Sequence, residues 1–155
     1  PLEFKEMYPN DRLWLSKKTY IKSFRTNHTN WSMGFSVCDE SYKIKNGLDK
    51  KEIGKRLKEG TVDKKDVLIR KDTIKFAYTL DNCGFDIEEI EDAHEVILDC
   101  TFLDDTDRGS DTHCSREECN AIIEQSKCRV AYLAHISPRY ESQRIIKIAN
   151  ENKNR

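Results

Sequence analysis

Three short strand-like runs in this 155-residue chain end on a residue able to hold a cation. Tyr20-Ile21-Lys22-Ser23-Phe24-Arg25 alternates and runs out at Asn27-His28, Ile74 to Tyr78 runs out at Asp81-Asn82, and the apolar run Val130 to Ala134 delivers His135. Two imidazoles and a carboxylate form a ligand set for zinc, manganese or iron. If the runs share a sheet, His28, Asp81 and His135 meet at one rim, where open α/β sheets present their ligand groups. Each residue alone has a plainer reading: a histidine after a strand is commonly a hydrogen-bonded loop residue, and Asp81-Asn82-Cys83-Gly84 is also a turn signal. A further histidine, His113, stands just before Ser115-Arg116-Glu117-Glu118, a capping box that starts a helix. A residue there faces exposed N–H groups and the positive end of a helix dipole, a place suited to a phosphate.

The elements that must position these side chains follow from local pattern. Leu13-Trp14-Leu15 and Thr19 to Arg25 read as a hairpin around Ser16-Lys17-Lys18, and Trp31 to Val37 continues the sheet, with Gly34 marking a close backbone approach or a bulge. Asp49 caps a short helix carrying Ile53 and Leu57, which Gly60 ends. Its lysines form either a solvated face or a phosphate-tracking patch. Asp63 to Arg70 is a polar connection with a short strand at Val67-Leu68-Ile69, and Ile74 to Thr79 a central strand. Asp86 to Asp92 reads as a short acidic helix, with His94 after it as an exposed residue without a role. Glu95 to Leu98 is the next strand, and Leu103 to Thr112 an acidic loop. The capped helix reaches about Lys127 with Cys119, Ile122 and Ile123 inward. Val130 to Ala134 is a buried strand, and Glu141 to Asn150 closes the chain as a helix burying Ile145, Ile148 and Ala149. Residues 151 to 155 are polar and fray.

These residues also carry a resemblance. His135-Ile136-Ser137-Pro138-Arg139-Tyr140 resembles the final metal motif of the ribonuclease Z branch of the metallo-β-lactamase superfamily. Glu95 to Phe102 (EVILDCTF) is similar to the strand entering its His-Glu-Ala-Thr-Phe segment, and His113-Cys114-Ser115 to its His-Ser-Thr helix entry. Tyr78 to Asn82 (YTLDN) is similar to its Ser-Gly-Asp-Thr turn, Asn27 to Val37 to its His-x5-Gly-Tyr segment, and Gly54 to Gly60 to its Leu-Lys-x-Gly stretch. Leu98 replaces a histidine of the pattern, Leu80 a glycine and Phe35 a tyrosine. The pattern His-x-His-x-Asp-His of the N-terminal half is absent from these residues.

The resemblance implies an α/β fold, the C-terminal half of a metallo-β-lactamase αββα sandwich, with a mixed sheet and helices on one face, as a single partial domain over residues 1–155. It implies two divalent metal ions, zinc first, with Asp81 bridging them, His28 completing one and His135 the other. His113 and Asp99 are the catalytic pair, His113 moving a proton at the departing 3′ oxygen and Asp99 orienting it. Ser137 and Arg139 meet the substrate phosphate. The implied activity is a metal-dependent endoribonuclease on precursor transfer RNA, completed by the N-terminal half in the same polypeptide or as a separate chain, in a homodimer. Hydrolysis of cyclic nucleotides or other small phosphodiesters on the same fold is one alternative. A catalytically inactive half-fold kept as a binding or dimerisation partner is another.

Composition narrows the setting. Lys plus Arg total 27 against 28 Asp plus Glu, for a net charge of -1, so nucleic-acid binding needs a local patch rather than a global basic field. With 35% charged and 37% apolar residues the chain is lean in core material, as suits a half-domain needing a partner surface. No apolar run is long enough to span a membrane and no signal-peptide pattern is present, which reads as a cytoplasmic protein without membrane contact. The six cysteines form no Cys-x2-Cys pair and read as reduced thiols.

Overall fold

The computed structural model describes residues 3–29, 31–109 and 111–152; of the residues expected to fray, 151 and 152 continue a helix and the last three lie outside the described residues. Six strands form one sheet whose spatial order repeats chain order: β1 (Arg12–Trp14), β2 (Thr19–Thr26), β3 (Ser32–Ile44), β4 (Leu68–Tyr78), β5 (Glu95–Asp99) and β6 (Val130–Ala134). β1 to β4 pair antiparallel, and β4, β5 and β6 pair parallel. Strands β2, β4, β5 and β6 therefore all run toward the same rim, and their exits are the segments carrying His28, Asp81, Thr101 and His135.

Local chemistry sets the boundaries. Ser16 Oγ accepts from the amides of Lys18 and Thr19 and so closes the β1–β2 turn. Asp49 caps α1 (Lys50–Lys58) through the Glu52 amide, and Gly60 at φ +67 lets the chain leave. A second, four-residue helix, α2 (Lys64–Val67), is capped by Asp63. The capping box of α3 (Arg116–Ser126) is complete: Ser115 accepts from the Glu118 amide, and Glu118 accepts from the Ser115 amide. Helix α4 (Ser142–Asn152) closes the described chain.

Several expectations change. The polar connection is instead a long ribbon, because β3 continues to Ile44 and pairs Ser41–Ile44 with Leu68–Lys71. The acidic helix shrinks to one 3-10 turn, Ile87–Glu89. Ser36 Oγ donates to the Glu89 carbonyl at 3.2 Å, occupying an acceptor that a continuing helix would use, and Lys22 pairs with the Glu89 carboxylate. Ala149 is exposed, and only Ile145 and Ile148 reach the core. His94 is half-buried rather than exposed. Strand β6 is not buried on both sides: it is the sheet's edge, with Val130 44% and Tyr132 50% exposed while Ala131 and Leu133 pack inward. Five consecutive apolar residues do not distinguish those two placements.

One sheet face carries the core. Phe24, Ala77, Val96 and Leu98 join Ile122 and Ile123 of α3 and Ile145 and Ile148 of α4, each fully buried large side chain contributing about 1.5–3 kcal/mol. Gly34 sits under Phe24, its register partner, so that a Cβ there would lie 2.2 Å from Phe24 Cζ. The bulge falls elsewhere, between Val37 and Cys38. Gly34→Ala should therefore cost about 1–3 kcal/mol of unfolding free energy in urea titration; an unchanged midpoint would mean the ring moves away freely.

The other face is apolar yet stands outside that core. Cross-strand partners Leu13–Ile21, Ile21–Val37, Val37–Phe76, Phe35–Tyr78, Tyr78–Ile97 and Ile97–Tyr132 line it from edge to edge. All are half-buried or exposed, and a second layer is what such a face packs against. Among the described residues no helix is long and apolar enough to cross a membrane.

Acid sensitivity has a local source near β1. Burial would raise the Asp72 carboxyl, but the Arg70 and Tyr20 side chains that bond it, with Arg12 nearby, hold it below the usual carboxylate range. A depressed folded pKa stabilises above the unfolded value, about 4, and that stabilisation is lost as pH falls through the folded pKa. Asp72→Asn should flatten this acid limb of a stability-against-pH curve; an unaltered limb would assign it to other carboxylates.

Candidate metal centre

The turn after β2 and the turn after β4 are stitched together. Asn27 N–H donates to the Gly84 carbonyl and Cys83 N–H to the Asn27 carbonyl, both at 2.8 Å, so the turn carrying His28 is held against the turn carrying Asp81. Ser32 Oγ adds a bond of 3.0 Å to the Asp81 carbonyl. The buried Asn82 side chain closes its own turn, donating to Thr79 Oγ1 at 3.0 Å and the Leu80 carbonyl at 2.8 Å and accepting from Gly84 N–H at 3.0 Å. Leu80, where the resembling pattern has glycine, keeps a left-handed backbone at φ +52, so the substitution retains the turn at a conformational cost. His135 is left-handed too, at φ +62, where the chain swings off β6.

Asp99, at the end of β5 with its side chain only 1% exposed, is the hub. Its Oδ2 accepts from Asn82 N–H at 2.9 Å and from His113 Nδ1 at 2.7 Å, and its Oδ1 accepts from the Thr101 hydroxyl at 2.7 Å. A buried carboxylate needs such donors, since desolvation otherwise disfavours its charge. Thr101 Oγ1 also lies 2.8 Å from His135 Nδ1. The imidazoles of His28, His113 and His135 stand in a row, with ring centroids 5.1 and 5.0 Å apart. Across from them, Asp81 Oδ2 lies 3.6 Å from His135 Nε2.

All the residues singled out for metal or proton chemistry thus gather at one rim, but not as one trio. The donor atoms within 4.8 Å of one another belong to Asp99, His113 and His135, whereas Asp81 faces His135 and His28 packs edge-on to His113. Asp99 spends its oxygens on three protein donors and His113 spends Nδ1 on Asp99, so this trio reads as a hydrogen-bonded brace rather than a cation cage. Arg139 is engaged by protein: it donates to Ser137 Oγ at 3.1 Å and the Asp107 carbonyl at 3.0 Å, and lies over the Phe102 ring. Tyr140, through its hydroxyl, accepts from Leu103 N–H at 3.1 Å, tying the return turn to the acidic loop. The sequence reading gives Asn82 only a place in a turn and Thr101 no role. A hydroxyl two residues past the buried Asp99 was the available signal.

The residues fit a cation on one observation in particular. His28 Nε2 is buried without any hydrogen-bond partner, while its Nδ1 is engaged with Thr29 Oγ1 at 3.1 Å. An orphaned buried ring nitrogen beside a carboxylate-lined turn is the donor a divalent metal satisfies. All six cysteines are free, and burial pushes Cys114 up to about 12. Its bond to Cys100, with burial, pushes Cys119 higher still. A cleft of about 600 Å³ lined by Tyr20, Cys38, Asp72, His94 and Arg129 lies at the opposite ends of the strands, away from this chemistry.

No family model matches the chain. The fold is that of the metallo-β-lactamase proteins: the metallo-β-lactamase fold protein YhfI from Bacillus subtilis superposes with a TM-score of 0.59 at 18% identity, over 94% of this chain and 47% of that one. Human tRNase Z, short form, superposes with a TM-score of 0.53 at 20% identity, over 83% and 40%. Within that fold the chain is ribonuclease Z-like. It is 30% identical to ribonuclease Z of Saccharolobus islandicus over 78% of its length and 47% of the relative's. It is 29% identical to ribonuclease Z of Saccharolobus solfataricus over 90% and 52%. The chain spans about half the length of the curated relatives it matches.

Proposed function

We propose that the full-length protein is a metal-dependent phosphodiesterase of the ribonuclease Z kind, an endoribonuclease acting at the 3′ ends of precursor transfer RNA. The observation that supports this best is the rim itself: His28 Nε2 without a partner, His135 Nε2 facing Asp81, and His113 backed by the buried Asp99. His28, Asp81 and His135 would hold the metal. When bound, a pair of divalent cations, zinc as the resemblance implies, would supply charge neutralisation at a phosphate and an acidified water. His113, with Nδ1–H committed to Asp99, would as the imidazolium give its Nε2 proton to the departing 3′ oxygen and be left as the neutral ring. Ser137 and Arg139 are assigned to the substrate phosphate, a role that must coexist with the contacts they make to protein.

Catalytic zinc takes about three protein ligands, and these residues offer each ion one imidazole and a shared carboxylate. The remaining ligands are assigned to the N-terminal half of the fold, in the same polypeptide or as a separate chain, packed on the apolar face from Leu13 to Tyr132, and the assembly to a homodimer in the cytoplasm. Assay of the full-length protein with precursor transfer RNA and with bis-p-nitrophenyl phosphate tests the reading. Cleavage of the RNA 3′ trailer, abolished by chelation and by Asp81→Asn, is expected; turnover of the small diester alone would move the assignment to a small-phosphodiester hydrolase.

A further inference from the structure

We propose that Thr101 is a positioning residue that couples the buried Asp99 carboxylate to His135, fixing that imidazole as its Nδ1–H tautomer with the Nε2 lone pair turned toward Asp81. The inference rests on the metal reading above only for its consequence; the tautomer follows from hydrogen-bond arithmetic. A threonine hydroxyl has one proton. Asp99, ionised, can only accept, and its Oδ1 is 2.7 Å from Thr101 Oγ1, so the proton points there. Reversing it would set two lone pairs against each other at that distance. Thr101 Oγ1 is then the acceptor in its 2.8 Å contact with His135 Nδ1, which must carry the hydrogen.

Nε2 of His135 is left with a bare lone pair 3.6 Å from Asp81 Oδ2. A lone pair facing a carboxylate oxygen is satisfied by something positive between them, a proton or a metal cation. One carboxylate thereby sets two rings: Asp99 holds His113 directly through Oδ2, and its Oδ1, 3.5 Å from His135 Nδ1, reaches that ring through the closer Thr101 hydroxyl. The arrangement explains why Thr101, in the first turn beyond β5, is only 8% exposed. It also divides labour between the two arms: removing the hydroxyl should free His135 and leave His113 in place.

The test begins on the metal-free full-length protein with ¹⁵N-labelled histidine, at alkaline pH where the rings are neutral. Long-range ¹H–¹⁵N correlation should give His135 a protonated Nδ1 and a pyridine-type Nε2; the opposite pattern in the wild type overturns the proposal without any variant. Thr101→Val keeps the shape and removes the hydroxyl. It should convert His135 to a tautomer mixture, leave the His113 signals unmoved and weaken zinc binding about 10- to 100-fold by competition with a chromophoric chelator. Thr101→Ser should restore both readouts. A valine variant with the wild-type tautomer and zinc affinity would also overturn it. If the tautomer behaves as stated and zinc binds neither protein, the positioning role stands and the metal assignment falls instead.

Discussion

On the proposed phosphodiesterase reading, His113→Ala should slow cleavage by the full-length protein about 100- to 10,000-fold while leaving its metal content unchanged. The two halves of that result answer different questions. His113 belongs to the tightest group of potential donor atoms at the rim, with Asp99 and His135 inside 4.8 Å, and a metal ligand would be expected to take the metal with it when removed. Its Nδ1 is, however, 2.7 Å from a carboxylate with almost no solvent contact. That bond places the hydrogen on Nδ1 and leaves Nε2 to exchange a proton. Elemental analysis beside single-turnover kinetics separates the roles: lost metal with lost rate would make His113 a ligand, and retained rate would remove it from the chemistry.

Asp99→Asn should cost about as much in rate and, unlike the histidine substitution, also lower stability by about 1–3 kcal/mol. Asp99 accepts from a backbone amide, a hydroxyl and an imidazole and donates to none of them. An asparagine with its oxygen in the Oδ2 place keeps the Asn82 amide and His113 as weaker, uncharged bonds, and its NH₂ group forces the Thr101 hydroxyl to accept and turn its proton toward His135. The expected signature is a reduced denaturation midpoint together with slower turnover. Combining Asp99→Asn with His113→Ala should add little further rate loss, because the two act as one unit. A full multiplicative loss, or an asparagine variant of wild-type stability, would show that the buried hub is not organised as described.

Much of this arrangement was readable before any coordinates, because the readable parts are local. The capping box at Ser115 and Glu118, the cap at Asp49 and the close approach at Gly34 each depend on neighbours a few residues away or on one strand partner. The gathering of His28, Asp81 and His135 at one rim followed from strands that end the same way. What stayed hidden depends on distant partners. Whether Val130 to Ala134 lies inside the sheet or at its edge is decided by what pairs beyond it, which five apolar residues do not encode. The acidic stretch stops short of a helix because Ser36, some fifty residues earlier in sequence, takes the Glu89 carbonyl. Nothing local marks Thr101, since its partner is His135, 34 positions away.

A sheet whose neighbours in space are also neighbours in sequence can be laid down progressively during translation. Each new strand finds its template already in place, with little loop entropy lost in waiting for a distant partner. Within the described residues the rim closes late: the exits carrying His28 and Asp81 precede β5, whereas His135 follows β6. An intermediate that lacks β6 would therefore carry most of the described scaffold and an incomplete rim.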